Sequence, residues 1–432
     1  MNLAGLSLER SPPLSVPLRF FFTAPLFGLG AALLLLLGDP LSFSMRWTPV
    51  TLALTHLLTL GVLGMVMSGA LMQLLPVVAG VAIWRVRMSA WVIHLSLALG
   101  TLALAAGLLS GKVLWLHAAL ALLGLWGGWL VLVVVLALWR AHTAMATVWT
   151  LRAAIAALGM TAGLGLWLAL NLSQGVVHLN GVDVHAQWGL GGWVLLLISG
   201  VAYQVVPLFQ VTPNYPLRFM RWFAPLVLTL LAGSSVAQLW GSAGLGRLAQ
   251  LGLLGALLVF ALATLLIQAR RKRHLTDASL WFWRLGLGSL VLSTLVGTLL
   301  VLGFWVTLPG MTVAVGVVFI LGFSLSVISA MLYKIVPFLT WLQLNNQVFA
   351  HGVVSVSVPH MKAIISEAAA RRHLYLHSLM LLAMAVAPLH PGNLTRLAAL
   401  SLGGVFALWL WNLLGAFGVY RRTLALIRAT PG

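Results

Sequence analysis

The sequence predicts an all-α membrane protein: a bundle of twelve transmembrane helices assembled from three similar groups of four. Three observations carry this. Of 432 residues, 62% are hydrophobic and only 7% charged, with a mean hydropathy of +1.08, a polarity too low to cover a water-soluble fold. The apolar residues come in runs of about 18–25, the length of a helix crossing a ~30 Å hydrocarbon layer, rather than in the short alternating strands of a barrel. Finally, the octapeptides "GALMQLLP" (69–76), "GVAYQVVP" (200–207) and "AMLYKIVP" (330–337) recur at spacings of 131 and 130 residues.

In chain order, "MNLAGLSLERSPPLSVPLRF" has no apolar run followed by a small-residue cleavage site, so no signal peptide is expected and the first span, 17–38, is retained. The second span, 51–76, carries His56 near its start and the first octapeptide at its end. Spans 88–110 and 113–138 follow, and "WRAH" (139–142) closes a first unit, 17–142. The second unit, 152–274, holds spans 152–172, 186–208, 222–241 and 247–268 and closes on "RKRH" (271–274). The third, 280–422, holds 280–303, 311–337, 372–390 and 396–420 and closes on "YRR" (420–422). Trp91 and Trp222, also 131 residues apart, open the third and seventh spans.

Each octapeptide places a polar residue, Gln73, Gln204 or Lys334, three positions before proline. The proline is expected to end its helix at the interface, where water satisfies the freed carbonyls, with Lys334 reaching toward the surface. The longest loop is then 338–371, polar enough for a short interfacial helix.

The net charge of +19 is explained by its distribution. With the N-terminus inside, twenty of the 24 Lys and Arg fall in inner loops or at inner helix ends, and only Arg46, Lys112, Arg247 and Arg396 fall outside. That asymmetry predicts an N-in, C-in chain, with "RRKRH" (270–274) lying against anionic lipid. The lipid bilayer is the expected partner, and nucleic acid is not.

Cysteine is absent, which excludes disulfides and thiolate chemistry. The five carboxylates, Glu9, Asp39, Asp183, Asp277 and Glu367, all fall in expected loops or tails. Proton- or sodium-coupled transport, paired-carboxylate catalysis and a Ser-His-Asp triad within the bilayer are therefore disfavoured. Histidine remains, since neutral imidazole is a common ligand of haem and copper. His56 lies 20 residues before Pro76 and His185 lies 22 before Pro207, at nearly the same depth in equivalent helices. Both are followed by small residues: Gly61, Gly64, Ser68 and Gly69 in one helix, Gly189, Gly191, Gly192 and Gly200 in the other. Such a row lets a flat macrocycle lie against the backbone, or lets two helices pack closely.

Histidine, then glycines, then an apolar stretch ending at the proline motif, on the second and sixth of twelve spans, resembles the catalytic subunit (subunit I) of haem-copper oxidases, with the C-type oxidases and nitric oxide reductases nearest. The resemblance implies a low-spin haem ligand at His56 and a copper ligand at His185. The chain departs from it in two places. "MTVAVGVVFILGFSLSVISAMLYKIVP" has Val315 and Val317 where the family's helix-10 haem ligands are expected, and "WFAPLVLTLLAGSSVAQLW" lacks the helix-7 copper ligands. An ordinary oxygen- or nitric-oxide-reducing centre cannot be built in the family's way, which leaves open whether the chain is an enzyme.

A six-coordinate haem needs only two imidazoles, and His56 with His185 or His117 can supply them. His94, His373 and His377 form a second candidate metal group, the last two being i, i+4 on one helical face, although His373 also reads as part of the interfacial "RRH". The expectation is a haem-binding protein of a bacterial-type inner membrane, with a b-type haem and copper as the alternative cofactor. It would act in respiratory electron transfer or in nitric oxide or metal stress, beside a redox partner or other respiratory subunits. Two other readings are a cofactor-free permease or channel for a small molecule or metal, and an assembly or structural subunit of a respiratory complex.

Overall fold

In hydrocarbon a chain must satisfy its own backbone groups, and long uncharged runs do so as helices. The structure, a computed structural model, describes residues 11–78, 80–141, 146–272, 275–305, 307–353 and 355–430. Glu9, His142, Arg273 and His274, all read above, lie outside them. The described chain is 84% helix with no strand. Eleven of its helices are long and apolar enough to cross a membrane: α1 (Ser15–Leu37), α2 (Pro49–Val77), α3 (Val86–Ser110), α4 (Val113–Trp139), α5 (Ala146–Ser173), α6 (Leu179–Gln210), α7 (Leu217–Leu239), α8 (Ala243–Ala269), α9 (Ala278–Val301), α10 (Met311–His351) and α12 (Asn393–Ala429). The chain is thus a multi-pass membrane protein. The segment read as the eleventh span falls in α11 (Glu367–Val386), whose first half carries Arg371, Arg372, His373 and His377 and is correspondingly less apolar.

Local chemistry sets several boundaries. Thr48 caps α2 by accepting from the Thr51 amide, and Pro49, which has no amide hydrogen, removes one donor that the first turn would leave unpaired. Asp277 caps α9 and Ser366 caps α11 in the same way. Gly111, at φ +66°, turns α3 directly into α4.

α2, α6 and α10 are not uniform helices. Each contains a π-helical segment, Leu57–Gly64, Gln187–Val194 and Val318–Ser324, and the three begin 130 and 131 residues apart. π segments cost regular hydrogen bonding and are found most often at functional sites. His56 immediately precedes the first, and His185 stands two residues before the second.

The polar octapeptide residues do more than sit at an interface. Gln73 donates to Ser11 Oγ just before α1 (2.6 Å), Gln204 to Thr147 Oγ1 in the first turn of α5 (3.0 Å), and Lys334 Nζ to Asp277 at the cap of α9 (2.6 Å). In each group of four, the end of the second helix is tied to the start of the first. The prolines, however, do not end these helices. α6 runs on to Gln210, and α10 continues past Pro337 to His351, absorbing much of the expected loop 338–371; only Met361–Ile364 forms a separate short helix there. One missing amide near a helix end is tolerated when the neighbouring turns are held by such ties.

Asp183 is also not in a loop: it lies in the second turn of α6 and pairs with Arg46. The Lys334–Asp277 pair is only about a quarter exposed. Lys334→Met is expected to lower stability by about 1–2 kcal/mol, read as an earlier thermal transition in detergent, because Asp277 would lose its partner while still partly buried.

Candidate functional site

α2 and α6 bring His56 and His185 together. Their ring centroids lie 6.4 Å apart with planes 24° from parallel. Nδ1–H of His56 donates to the Leu52 carbonyl one turn earlier in α2 (2.8 Å), and Nδ1–H of His185 donates across to the Thr161 carbonyl of α5 (3.0 Å). A carbonyl can only accept, so these bonds fix both tautomers and leave each Nε2 with its lone pair. Neither Nε2 has a protein partner among the described residues. An anchored Nδ1 with a free Nε2 is the arrangement in which protein imidazoles bind metals. Two such nitrogens at about 2.0–2.1 Å from one metal atom set ring centroids roughly 6–6.5 Å apart, which the observed spacing matches.

Both imidazoles line a cavity of about 510 Å³ enclosed by α2 to α6, with Ile320 of α10 on one wall. Its surface is apolar apart from histidines, indole N–H groups and threonines, and Thr55, Thr59 and Thr161 each spend their hydroxyl hydrogen on a carbonyl of their own helix. Trp47 and Val182 line it next to the Arg46–Asp183 pair, which clasps the segment before α2 to the second turn of α6. The Arg46 guanidinium lies 4.2 Å over the Trp47 ring. By helical rise, His56 is about 10 Å below the start of α2.

The glycines divide between two jobs. Gly61 and Gly69 receive the rings of Phe27 and Phe20 from α1, and Gly191, Gly192 and Gly200 receive Leu253, Ala157 and Leu151, all helix packing. Gly64, Gly165 and Gly189 line the cavity. Gly165 is the most constrained of these, since a Cβ there would meet His185 Cε1 at 2.9 Å. Gly165→Leu is expected to push His185 off its Thr161 anchor and to cut any metal or cofactor content at least about five-fold with little change in thermal stability; metal and cofactor analysis of the purified variant checks this.

No family model matches the sequence, and no curated protein matches it.

The other candidates are placed differently. His117 is exposed and does not line the cavity, because the face of α4 turned inward carries Ala119, Leu120 and Leu123 instead. His178, given no site role above, does line it. Its Nε2–H donates to Asn171 Oδ1 (3.1 Å) and its ring stacks on Trp167 at 4.6 Å. The spacing of His178 and His185, two helical turns, was the available signal.

His94 stands apart from His373 and His377. It bonds through Nε2 to Thr23 Oγ1 of α1 (2.8 Å) and packs on Phe20 and Trp91. His373 and His377 pack on Phe282 and bond to α10, sharing no ring or hydrogen-bond partner with His94. Among the described residues no group of three or more His, Asp or Glu is placed to hold a metal ion. His373 is also not interfacial: both it and His377 are fully buried.

Proposed function

We propose that this chain is a haem-binding inner-membrane protein in which His56 and His185 would together hold one b-type haem, and that it serves electron transfer in respiration or in nitric oxide or metal stress. The observation that carries the reading is the facing pair of anchored imidazoles, 6.4 Å apart with free Nε2 lone pairs, inside an apolar cavity of about 510 Å³. A donor set of two neutral nitrogens suits haem iron, and bare backbone at Gly64, Gly165 and Gly189 suits a flat macrocycle. Copper, the alternative, would leave most of that volume unused.

The arrangement differs from the one the haem-copper oxidase resemblance implies. There His56 would look to helix 10 for its partner and His185 would hold copper; here the two face each other across α2 and α6. Haem bound in this way supplies one-electron chemistry. The Leu52 and Thr161 carbonyls hold the two rings in register, and the apolar lining excludes water. A haem held by both His56 and His185 would carry electrons rather than reduce oxygen or nitric oxide.

In this reading α11 also crosses the membrane and brings the spans to twelve, the orientation is N-in and C-in, and the cavity lies toward the outer face, where a redox partner or another respiratory subunit can approach the Trp47 end. The test is an absorption spectrum with haem and metal analysis on protein purified in detergent from haem-replete cells. The expected result is a Soret band, a low-spin ferric signal and about one haem per chain. Colourless protein overturns the proposal and favours the cofactor-free permease.

A further inference from the structure

A second buried polar group lies where α10, α11 and α12 meet. Asn412 Nδ2–H of α12 donates to Tyr333 Oη of α10 (2.8 Å), and that hydroxyl lies 2.8 Å from Nδ1 of His373 on α11. No other acceptor is within reach of the Tyr333 hydrogen among the described residues, so it is donated to Nδ1, and His373 carries its own hydrogen on Nε2. One turn along α11, Nε2 of His377 lies 3.1 Å from the Leu321 carbonyl and 2.9 Å from Ser326 Oγ. The carbonyl only accepts, so His377 is also protonated on Nε2 and its Nδ1 is a lone pair.

One atom of each ring remains without a protein partner, and the two are complementary, the Nε2–H donor of His373 and the Nδ1 acceptor of His377; Ser329 Oγ, between Ser326 and Tyr333 on α10, is likewise unmet. Both rings are fully buried, with centroids 6.0 Å apart and planes 89° from parallel. Leaving such a donor and acceptor unmet costs about 1–3 kcal/mol each, whereas one water between them makes both bonds.

We propose that a bound water joins His373 to His377 and that Tyr333, His373, this water, His377 and Ser326 form a proton relay leading into the bundle. Every hydrogen bond in the series points the same way. A proton delivered to Tyr333 Oη displaces the hydroxyl hydrogen to Nδ1 of His373. The Nε2 hydrogen of His373 then leaves to the water and a water hydrogen passes to Nδ1 of His377, which holds the added charge with its Nε2–H shared between the Leu321 carbonyl and Ser326 Oγ. One proton enters and comes to rest on His377, and no electron moves. The groups are neutral at rest, so the relay needs no carboxylate within the bilayer.

The relay starts near the helix ends: Tyr333 is partly exposed and is followed in sequence by Lys334, paired with Asp277, while Arg371 and Glu367 form another ion pair there. The inner end lies at the third π segment. From Tyr333 to Ser326, the last group of the relay, the helical rise is about 10 Å, a third of the ~30 Å hydrocarbon layer. Ile320, adjacent to Leu321, lines the cavity of His56 and His185. Delivery of a proton there would offset the charge of an electron entering the cavity, a consequence that rests on the haem reading; the relay itself does not.

The test uses full-length protein, labelled with ¹⁵N-histidine and reconstituted in lipid bilayers, observed by solid-state NMR after transfer to deuterated buffer. Both histidines are expected to be neutral and protonated on Nε2, with the His377 N–H exchanging through the relay. Tyr333→Phe removes only the hydroxyl, and it is expected to slow that exchange at least about ten-fold in protein that still folds, with a lowered melting temperature because the Asn412 donor and His373 Nδ1 lose their partner. His373→Phe is expected to do the same and serves as the second variant. Unchanged exchange in Tyr333→Phe, protonation of His377 on Nδ1, or metal-ligated nitrogens at this pair overturns the relay. None of these outcomes depends on whether the protein carries haem.

Discussion

His56→Ala protein, purified from haem-replete cells, is expected to retain less than about a tenth of the wild-type Soret absorbance, because the site then offers one nitrogen where six-coordination needs two. His185→Ala is expected to match it, since the two rings contribute equally to one 6.4 Å pair. Imidazole added during purification should restore part of the band in either variant, since the small ligand fits the space of the deleted ring. His117→Ala, altering an exposed histidine outside the cavity, should leave the spectrum unchanged. Full haem content in both cavity variants would remove the pair from consideration as ligands. The measurement separates ligation from folding because the melting temperature of each apo-variant can be followed independently.

The largest effect on stability is expected from Gly310→Val, far from the histidines. Gly310 caps the start of α10 at φ +78°, and a Cβ there would sit 2.0 Å from the Pro388 carbonyl oxygen in the turn between α11 and α12. The obstacle is backbone, which cannot swing aside as a side chain can. Left-handed strain of about 1–2 kcal/mol adds to overpacking of about 1–3 kcal/mol, so a loss of roughly 3 kcal/mol or more is expected. It should appear as a sharply lowered thermal transition, or as protein that fails to accumulate in the membrane. A wild-type melting curve would show that this close approach is not structurally required.

The helices were legible in the sequence because hydrocarbon allows an apolar run little else to be. Their ends were harder to read. Proline was taken as a terminus at Pro207 and Pro337, yet both lie inside continuous helices, because a proline removes a single hydrogen bond while the ties from Gln204 and Lys334 hold the surrounding turns. The π segments carry no composition that sets them apart from ordinary helix, and only coordinates reveal them. In the third of these, Phe319 and Phe323 pack edge to face, where the first two carry glycine beside the cavity.

At the cavity, His56 and His185 stood out through their matching distance from a repeated motif, a signal that survives low sequence identity. What the sequence did not convey is which third helix they face: the anchor for His185 is a main-chain carbonyl, Thr161, and any residue type could provide it. His373 was misread for a different reason. Its neighbours Arg371 and Arg372 suggested an interface, but a helix buries one side only, and the side bearing His373 and His377 meets a polar stripe of Ser326, Ser329 and Tyr333 on α10. That stripe, with spacings of three and four, was visible in the sequence and belonged with the i, i+4 histidines.

The three ties at the octapeptides bear on how the protein is made. Each joins residues only 57 to 62 positions apart. Such a short loop closes at modest entropic cost, and it closes as soon as the second helix of its group leaves the ribosome. Biogenesis can therefore advance in three ratchet-like stages, each fastening a helical hairpin before the next pair is inserted. The cavity, drawing on helices of the first two stages for all but the Ile320 wall, takes most of its shape before the last third of the chain has been translated.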